Sequence, residues 1–198
     1  MGLPRHGYRG AVTRIISGRA GSIALDVPDA GTRPTSDRVR ESLFAALESA
    51  GAVEGARVLD LYAGSGALGL EAQSRGAASV DLIEKAARAA AVAQRNAQRV
   101  ARAIGGVPAR VHRAAAETFV QGTRGPYDLV LIDPPYDLPD TTLAQVLDAL
   151  VPALAPDAVV VVERSRRSDA PTPPAGLEHT RDRRYGDTTL WWLRRTDV

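Results

Sequence analysis

Short apolar runs alternate with amphipathic stretches along most of this 198-residue chain. Residues 57–62, 78–83, 127–132 and 158–163 are runs of six in which Val, Leu and Ile hold half of the positions or more. Runs of that length and composition predict strands buried on both faces, and 109–113 reads as a weaker strand of the same set. Between them, 67–74, 85–103 and 141–151 carry the spacing of helices. Strand alternating with helix predicts a doubly wound parallel sheet with right-handed crossovers. The pattern then changes. Residues 165–176 are polar and proline-rich, a loop, and 177–185 and 187–195 read as two strands around Tyr185-Gly186-Asp187, a terminal antiparallel hairpin.

Ahead of the sheet, 12–16 and 23–27 are short apolar runs flanking Gly18 and Gly21, which predicts a small hairpin. Gly31-Thr32-Arg33-Pro34-Thr35-Ser36-Asp37 is a turn-rich helix entry with Ser36 or Thr35 as cap. Val39, Leu43, Phe44 and Leu47 then share one helical face to about Ser49, and the opposite edge presents Arg38 and Arg40. The expected division is an extension over 1–52 and an α/β domain over 53–198.

Length and composition set bounds. A chain of 198 residues is one domain's worth, able to bury roughly 70% of its unfolded surface. No stretch approaches the roughly 20 apolar residues of a membrane-spanning helix. Residues 1–10 contain Arg5, His6 and Arg9 without an apolar core, so no signal peptide is expected and the cytoplasm is the expected compartment. Cysteine is absent, which excludes disulfides, thiolate metal sites and sulfur nucleophiles. His6, His112 and His179 are too scattered to suggest a metal set, so no metal is expected.

The net charge of +2 is unevenly spread. Residues 111–160 carry two basic against seven acidic groups, whereas Arg5, Arg9, Arg14 and Arg19 precede the first acid, Asp26. Arg181, Arg183 and Arg184 cluster near the other end. Two basic ends around an acidic middle suggest a phosphate-contacting surface. Against this, 24 of the 25 basic residues are Arg in an Ala-rich chain, a composition that coding bias also produces.

Two motifs carry the chemistry. The first is Asp60-Leu61-Tyr62-Ala63-Gly64-Ser65-Gly66-Ala67-Leu68-Gly69, a strand end, a glycine turn and a helix start. Gly64 and Gly66 let backbone approach a ligand closely, and Gly69 lets the helix pack on the strand. Glu84 ends the next predicted strand 20 residues after Gly64, where a carboxylate can accept both hydroxyls of a ribose. A dinucleotide and S-adenosylmethionine both fit such a turn. Asp60 favours the second, because a carboxylate there repels a pyrophosphate but pairs with an ammonium group.

The second motif is Asp133-Pro134-Pro135-Tyr136 at the carboxyl end of the strand over 127–132. Two prolines fix φ and leave their carbonyls free as acceptors, so they set a carboxylate and an aromatic ring in a defined relation. That is a clamp for a flat group that donates hydrogen bonds. A plain strand-ending turn would contain the same residue types.

Together these motifs resemble class I S-adenosylmethionine-dependent amino-methyltransferases. Arg14-Ile15-Ile16-Ser17-Gly18, Thr32-Arg33-Pro34-Thr35, Arg38-Val39-Arg40-Glu41-Ser42-Leu43-Phe44 and Tyr185-Gly186-Asp187-Thr188 make the chain similar to the bacterial RsmD family, 16S ribosomal RNA (guanine-966-N2) methyltransferases, from about residue 14 to 195. The resemblance implies a Rossmann-like, seven-stranded, mostly parallel sheet with a C-terminal antiparallel hairpin. It implies S-adenosylmethionine as cofactor, with contacts at Asp60, Tyr62, Ala63, Gly64, Ser65, Gly66, Gly69, Glu84 and Lys85, and with Thr35 and Arg38 closing over it. It makes Asp133, Pro134, Pro135 and Tyr136 the catalytic group. The implied partner is 16S rRNA in the small ribosomal subunit, with ribosomal proteins as neighbours, and Arg5, Arg9, Arg14, Arg19, Arg33, Arg181, Arg183 and Arg184 as candidate RNA contacts. A monomer is the default.

Rival readings remain. Methylation of DNA adenine or of a protein glutamine amide uses a similar motif, although a DNA enzyme of that kind usually adds a target-reading domain. A non-catalytic RNA-binding module or a dinucleotide oxidoreductase would share the fold, and Asp133 and Asp60 speak against each in turn.

Overall fold

The computed structural model describes residues 13–28 and 36–196. Strand β1 (Thr13–Arg14) pairs antiparallel with β2 (Ala24–Leu25), the hairpin expected around Gly18 and Gly21. Helix α1 (Asp37–Ser49) follows, capped by the Ser36 hydroxyl, which accepts the N–H of Val39 at 3.3 Å. The sheet and its helices are then laid down as β3 (Arg57–Leu61), α2 (Ala67–Ser74), β4 (Ser79–Ile83), α3 (Ala87–Ile104), β5 (Arg110–His112), α4 (Ala116–Gly122), β6 (Tyr127–Ile132), α5 (Asp140–Leu150), β7 (Leu154–Ser165), β8 (Leu177–Tyr185) and β9 (Thr188–Arg195).

Its order is β5-β4-β3-β6-β7-β9-β8, parallel through β7, with β9 and β8 added antiparallel. The seven-stranded sheet with a terminal hairpin is as the sequence predicts. The chain winds outward from β3 to β5, returns to β6 on the other side of β3, and so leaves a crevice at the carboxyl ends of β3 and β6. No helix among the described residues is long and apolar enough to cross a membrane.

Side chains alternate between the two faces of the sheet and feed two cores. Val58, Val80, Leu82 and Leu129 pack with Phe44, Leu47, Leu70 and Val100 from α1, α2 and α3. Leu59, Leu61, Ile83 and Val130 pack with Val120, Leu143, Leu147 and Leu150 from α4 and α5. Gly69 shows how close the first layer is: a Cβ there would lie 2.4 Å from Leu82 Cδ2 and 3.2 Å from Asp60 Cβ. Only glycine lets α2 sit this near to β3 and β4.

Two elements differ from the pattern reading. Helix α4 was not expected over 109–127, because its seven residues bury only Ala116 and Val120 fully. Strand β7 starts four residues earlier than 158, since Pro156 and Asp157, the latter with φ of 58°, form a bulge that shifts register between Tyr127 and Leu129 instead of ending the strand.

The extension is anchored by charge as well as by apolar contact. Glu71 of α2 accepts the backbone N–H groups of Ile16 at 2.7 Å and Ser17 at 3.0 Å. Arg40, expected on an exposed edge, is instead 1% exposed. It donates to Thr13 Oγ1 at 3.1 Å, to Asp37 Oδ1 at 3.0 Å and to the Arg14 carbonyl, with Glu71 at 3.9 Å. Burial pulls its pKa below the ordinary value, and Glu71 and Asp37 oppose that shift. A guanidinium can be buried only with such partners, which lie on the hairpin and α2 as well as on its own helix.

Candidate active site

Register places the site. Leu61 of β3 pairs with Ile83 of β4 and with Ile132 of β6, so the next residue of each strand, Tyr62, Glu84 and Asp133, emerges at one level of the sheet's carboxyl edge. These three line a cavity of about 1100 Å³. That volume is enough for a ligand of nucleoside size and part of a second one.

The glycine turn forms one wall. Tyr62 has φ of 64°, Gly64 of 54° and Gly66 of 81°, so the chain leaves β3 through three left-handed residues before α2 begins. A Cβ on Gly64 would meet nothing within 4 Å, which makes its backbone an open face toward the cavity. The strained tyrosine is held at its far end, where its hydroxyl donates to Glu117 of α4 at 2.9 Å; burial and that carboxylate push the phenol pKa up.

Glu84 is fixed by two backbone groups. Its Oε2 accepts the N–H of Gly64 at 3.0 Å, and its Oε1 accepts that of Ala86 at 2.7 Å. Each oxygen keeps a lone pair for a ligand hydroxyl. Asp60 is 1% exposed and lines the same cavity. Its Oδ2 accepts the Gly69 N–H at 2.9 Å, while Oδ1 is buried with no hydrogen-bond partner among the described residues. Burial pushes its pKa up to about 7, against the pull of the Gly69 bond, with Glu84 adding to the rise.

The third wall is Asp133-Pro134-Pro135-Tyr136. The Leu138 N–H donates to the Pro135 carbonyl at 3.0 Å, closing the turn, whereas the Pro134 carbonyl accepts no hydrogen bond among the described residues. Tyr136 is 59% exposed at the cavity rim. Arg164 of β7 pins the far end of this loop from beneath: it is largely buried and donates to the Leu138 carbonyl at 3.2 Å and to Asp140 Oδ1 at 2.6 Å.

Of the residues singled out from sequence, Asp60, Tyr62, Ala63, Gly64, Ser65, Glu84, Lys85, Arg38, Asp133, Pro134, Pro135 and Tyr136 all line the cavity. Gly66 and Gly69 stand behind it and shape the turn. Arg183 and Arg184 reach the rim from β8. Arg181 instead lies over the Trp192 ring at 3.8 Å, Arg14 faces Asp37 at 3.9 Å, and Arg19 docks beside Ser74 and Ile104. The structure does not bring these three to the cavity. Arg5, Arg9, Arg33 and Thr35 lie outside the described residues.

Several residues with a clear place here carry no sequence signal of their own. Glu117, Arg164 and Glu163 are examples, the last two at the cavity end of β7. Asn96 is another. Its side-chain amide donates to the carbonyls of Ser65 and Asp26, both at 2.9 Å, and its oxygen accepts the Asp26 N–H at 3.0 Å, which ties the glycine turn to the extension. Polar residues on helices are common, and only the pairing distinguishes these.

The family described as conserved hypothetical protein 95 matches residues 13–194, nearly the whole chain. Ribosomal RNA small subunit methyltransferase D of Escherichia coli K12 is 39% identical over 189 residues, covering 94% of this chain and 91% of that protein. The chain belongs to the RsmD family. Among solved structures, yhhF from Escherichia coli superposes with a TM-score of 0.80 and 33% identity, covering 95% of this chain and all of that one. The magnesium protoporphyrin IX methyltransferase of Synechocystis, solved with S-adenosylmethionine bound, shares the fold with a TM-score of 0.64 at 16% identity, over 84% of this chain and 87% of that one. RsmD membership accounts for the sheet order.

Proposed function

We propose that this protein is an S-adenosylmethionine-dependent ribosomal RNA methyltransferase that modifies the exocyclic N2 amine of a guanine in 16S rRNA, guanine-966 by family resemblance, on the small subunit or an assembly intermediate. The main support is the common level of Tyr62, Glu84 and Asp133 around one cavity, with a carboxylate on each side of the glycine turn and an amine clamp opposite. A ribosome-modifying enzyme of this kind works in the cytoplasm, with residues 1–52 as an N-terminal extension to the methyltransferase domain over 53–198.

The residues fit the cofactor. Asp60 Oδ1, buried and unpartnered among the described residues, suits an ammonium group, and the fixed Glu84 carboxylate suits the two ribose hydroxyls. Tyr62, Ala63, Ser65 and Lys85 complete the cofactor wall, and Arg38 lines the cavity from the extension side. When bound, S-adenosylmethionine supplies an electrophilic methyl group on sulfur. The same wall disfavours a dinucleotide, since a carboxylate behind the turn repels pyrophosphate.

The chain's own work is positioning. A guanine amine is a poor nucleophile because its lone pair is delocalised into the ring. The Asp133 carboxylate and the Pro134 carbonyl accept its two N–H groups, which leaves the lone pair facing the methyl. Orientation of this kind lowers a barrier by several kcal/mol. Tyr136 stacks on the base, a contact worth about 1 to 3 kcal/mol, which offsets part of the cost of extruding it. Once methylated, the nitrogen is acidic and gives its proton to Asp133 or to water, so no histidine is required.

Labelled S-adenosylmethionine offered with undermodified small subunits, naked 16S RNA, DNA and protein tests the reading, followed by nucleoside mass spectrometry. The expected product is N2-methylguanosine in 16S rRNA, most abundant from the particle. Label in N6-methyladenine or in glutamine would overturn it.

A further inference from the structure

A second cleft, of about 530 Å³, adjoins the cavity and shares Tyr136 and Asp187 with it. Its other walls are Ser165, Arg166 and Arg167, where the chain leaves β7. The cavity takes the target base and the cofactor, whereas this cleft lies beyond the stacking ring. Neither its position nor its arginines were singled out from sequence, which pointed to the two ends of the chain instead.

The backbone under the two arginines is fixed. Arg166 donates its N–H to the Asp187 carbonyl at 2.8 Å, Arg167 donates to Ser165 Oγ at 3.2 Å, and Ser168 donates to the Ser165 carbonyl at 3.0 Å. The side chains above it are exposed, and neither makes an ion pair among the described residues. Arg164, two positions earlier, is paired with Asp140, and Arg57, Arg75, Arg110 and Arg194 are likewise matched to carboxylates. Arg166 and Arg167 are therefore two unneutralised guanidiniums on a rigid turn beside the ring, against one carboxylate, Asp187, in the same cleft. Guanidinium forks pair with phosphate oxygens in bidentate geometry. An extruded nucleotide keeps its backbone connections, so its neighbouring phosphates must sit next to the ring on which its base stacks.

We infer that this cleft is a subsite for the phosphodiester flanking the target nucleotide, held by Arg166 and Arg167. The inference rests on the RNA methylation proposed above and names where that substrate's backbone is gripped. It makes the arginine pair a register device: base stacking on Tyr136 and a phosphate on Arg166 and Arg167 fix the nucleotide at two points.

The test is the Arg166→Gln/Arg167→Gln variant of the full chain, assayed on undermodified small subunits over a range of salt. The KM for subunits should rise about tenfold, and the slope of log KM against log salt should fall by about one unit, for the one phosphate no longer neutralised. Cofactor affinity by calorimetry should be unchanged. The Arg166→Lys/Arg167→Lys variant should keep the salt slope, which a merely structural role would not explain. An unchanged KM and salt slope in the Gln variant overturns the subsite. If wild-type protein fails to methylate any subunit or RNA, the function reading has failed, and the subsite is judged by fluorescence binding of a single-stranded RNA oligonucleotide: equal affinity for wild type and the Gln variant overturns it as well. Weaker binding to RNA-free ribosomal proteins with RNA affinity unchanged would make the cleft a protein-binding surface and also overturns it.

Discussion

The carboxylate of Glu84 accepts the backbone N–H of Gly64 at 3.0 Å, so the acid that ends β4 is aimed by the glycine turn that ends β3. Because one hydrogen bond links the two cofactor-facing elements, Glu84→Ala should do more than remove a ribose contact; it should also release the turn. Loss of hydrogen bonds to a charged group costs about 1.5 to 3 kcal/mol, so calorimetry should show S-adenosylmethionine affinity falling by roughly ten- to a hundredfold. Glu84→Gln, which keeps an acceptor for Gly64, should lose less. Equal affinity in wild type and Glu84→Ala would remove Glu84 from the cofactor site.

Asp60 should give both stability and binding a pH dependence. Its carboxyl is raised by burial from 3.8 to about 7 in the fold. Between those values the folded chain holds a proton that the unfolded chain has released, so this group's contribution to stability falls as pH rises through that window and is constant above it. A shift of this size corresponds to roughly 4 kcal/mol. Asp60→Asn should therefore flatten the fall between pH 4 and 7 in chemical denaturation. Binding has the opposite slope, because an ammonium partner favours the ionised carboxylate. Cofactor affinity should climb as pH rises through about 7 and turn over between about 7 and 8, where an α-amino group loses its own charge. The climb should be absent in Asp60→Asn. A wild-type affinity flat from pH 6 to 8 would contradict the pairing.

Arg164 holds the outer end of the Asp133 loop through the Leu138 carbonyl and Asp140. It is a positioning residue: Arg164→Met should keep cofactor affinity and lower kcat by about ten- to a hundredfold, the range expected for small misplacement of reacting groups. Arg164→Lys should recover part of kcat. Equal falls in kcat and cofactor affinity would mean general disruption of the fold instead.

Tyr136 presents its ring at the cavity rim, so Tyr136→Ala should raise the KM for RNA substrate by roughly five- to a hundredfold, following a stacking contact of about 1 to 3 kcal/mol. Tyr136→Phe should stay close to wild type. Equal defects in the two variants would assign the role to the hydroxyl.

Much of the fold was legible because the parallel strands are buried on both faces and therefore read as short, largely apolar runs, as in 58–62 and 129–132. Gly64, Gly69 and the prolines at 134 and 135 were equally visible, since each residue type has a backbone property that no other supplies. What escaped was pairing between distant segments. Arg40 read as an exposed edge residue because its helical position is all that periodicity records, whereas Asp37, Thr13 and Glu71 gather around it in space. Asn96, Glu117 and Arg164 escaped for the same reason. Helix α4 was missed because a seven-residue helix offers barely two turns of pattern.

The proposed chemistry depends above all on the carboxylate at the end of β6. Its sharpest test is single-turnover methyl transfer by Asp133→Ala, with wild-type protein alongside, at saturating S-adenosylmethionine and undermodified small subunits. The clamp predicts that the variant binds cofactor with wild-type affinity and transfers methyl at least about a hundredfold more slowly, the scale of a misplaced nucleophile. Transfer by Asp133→Ala at the wild-type rate would contradict the clamp.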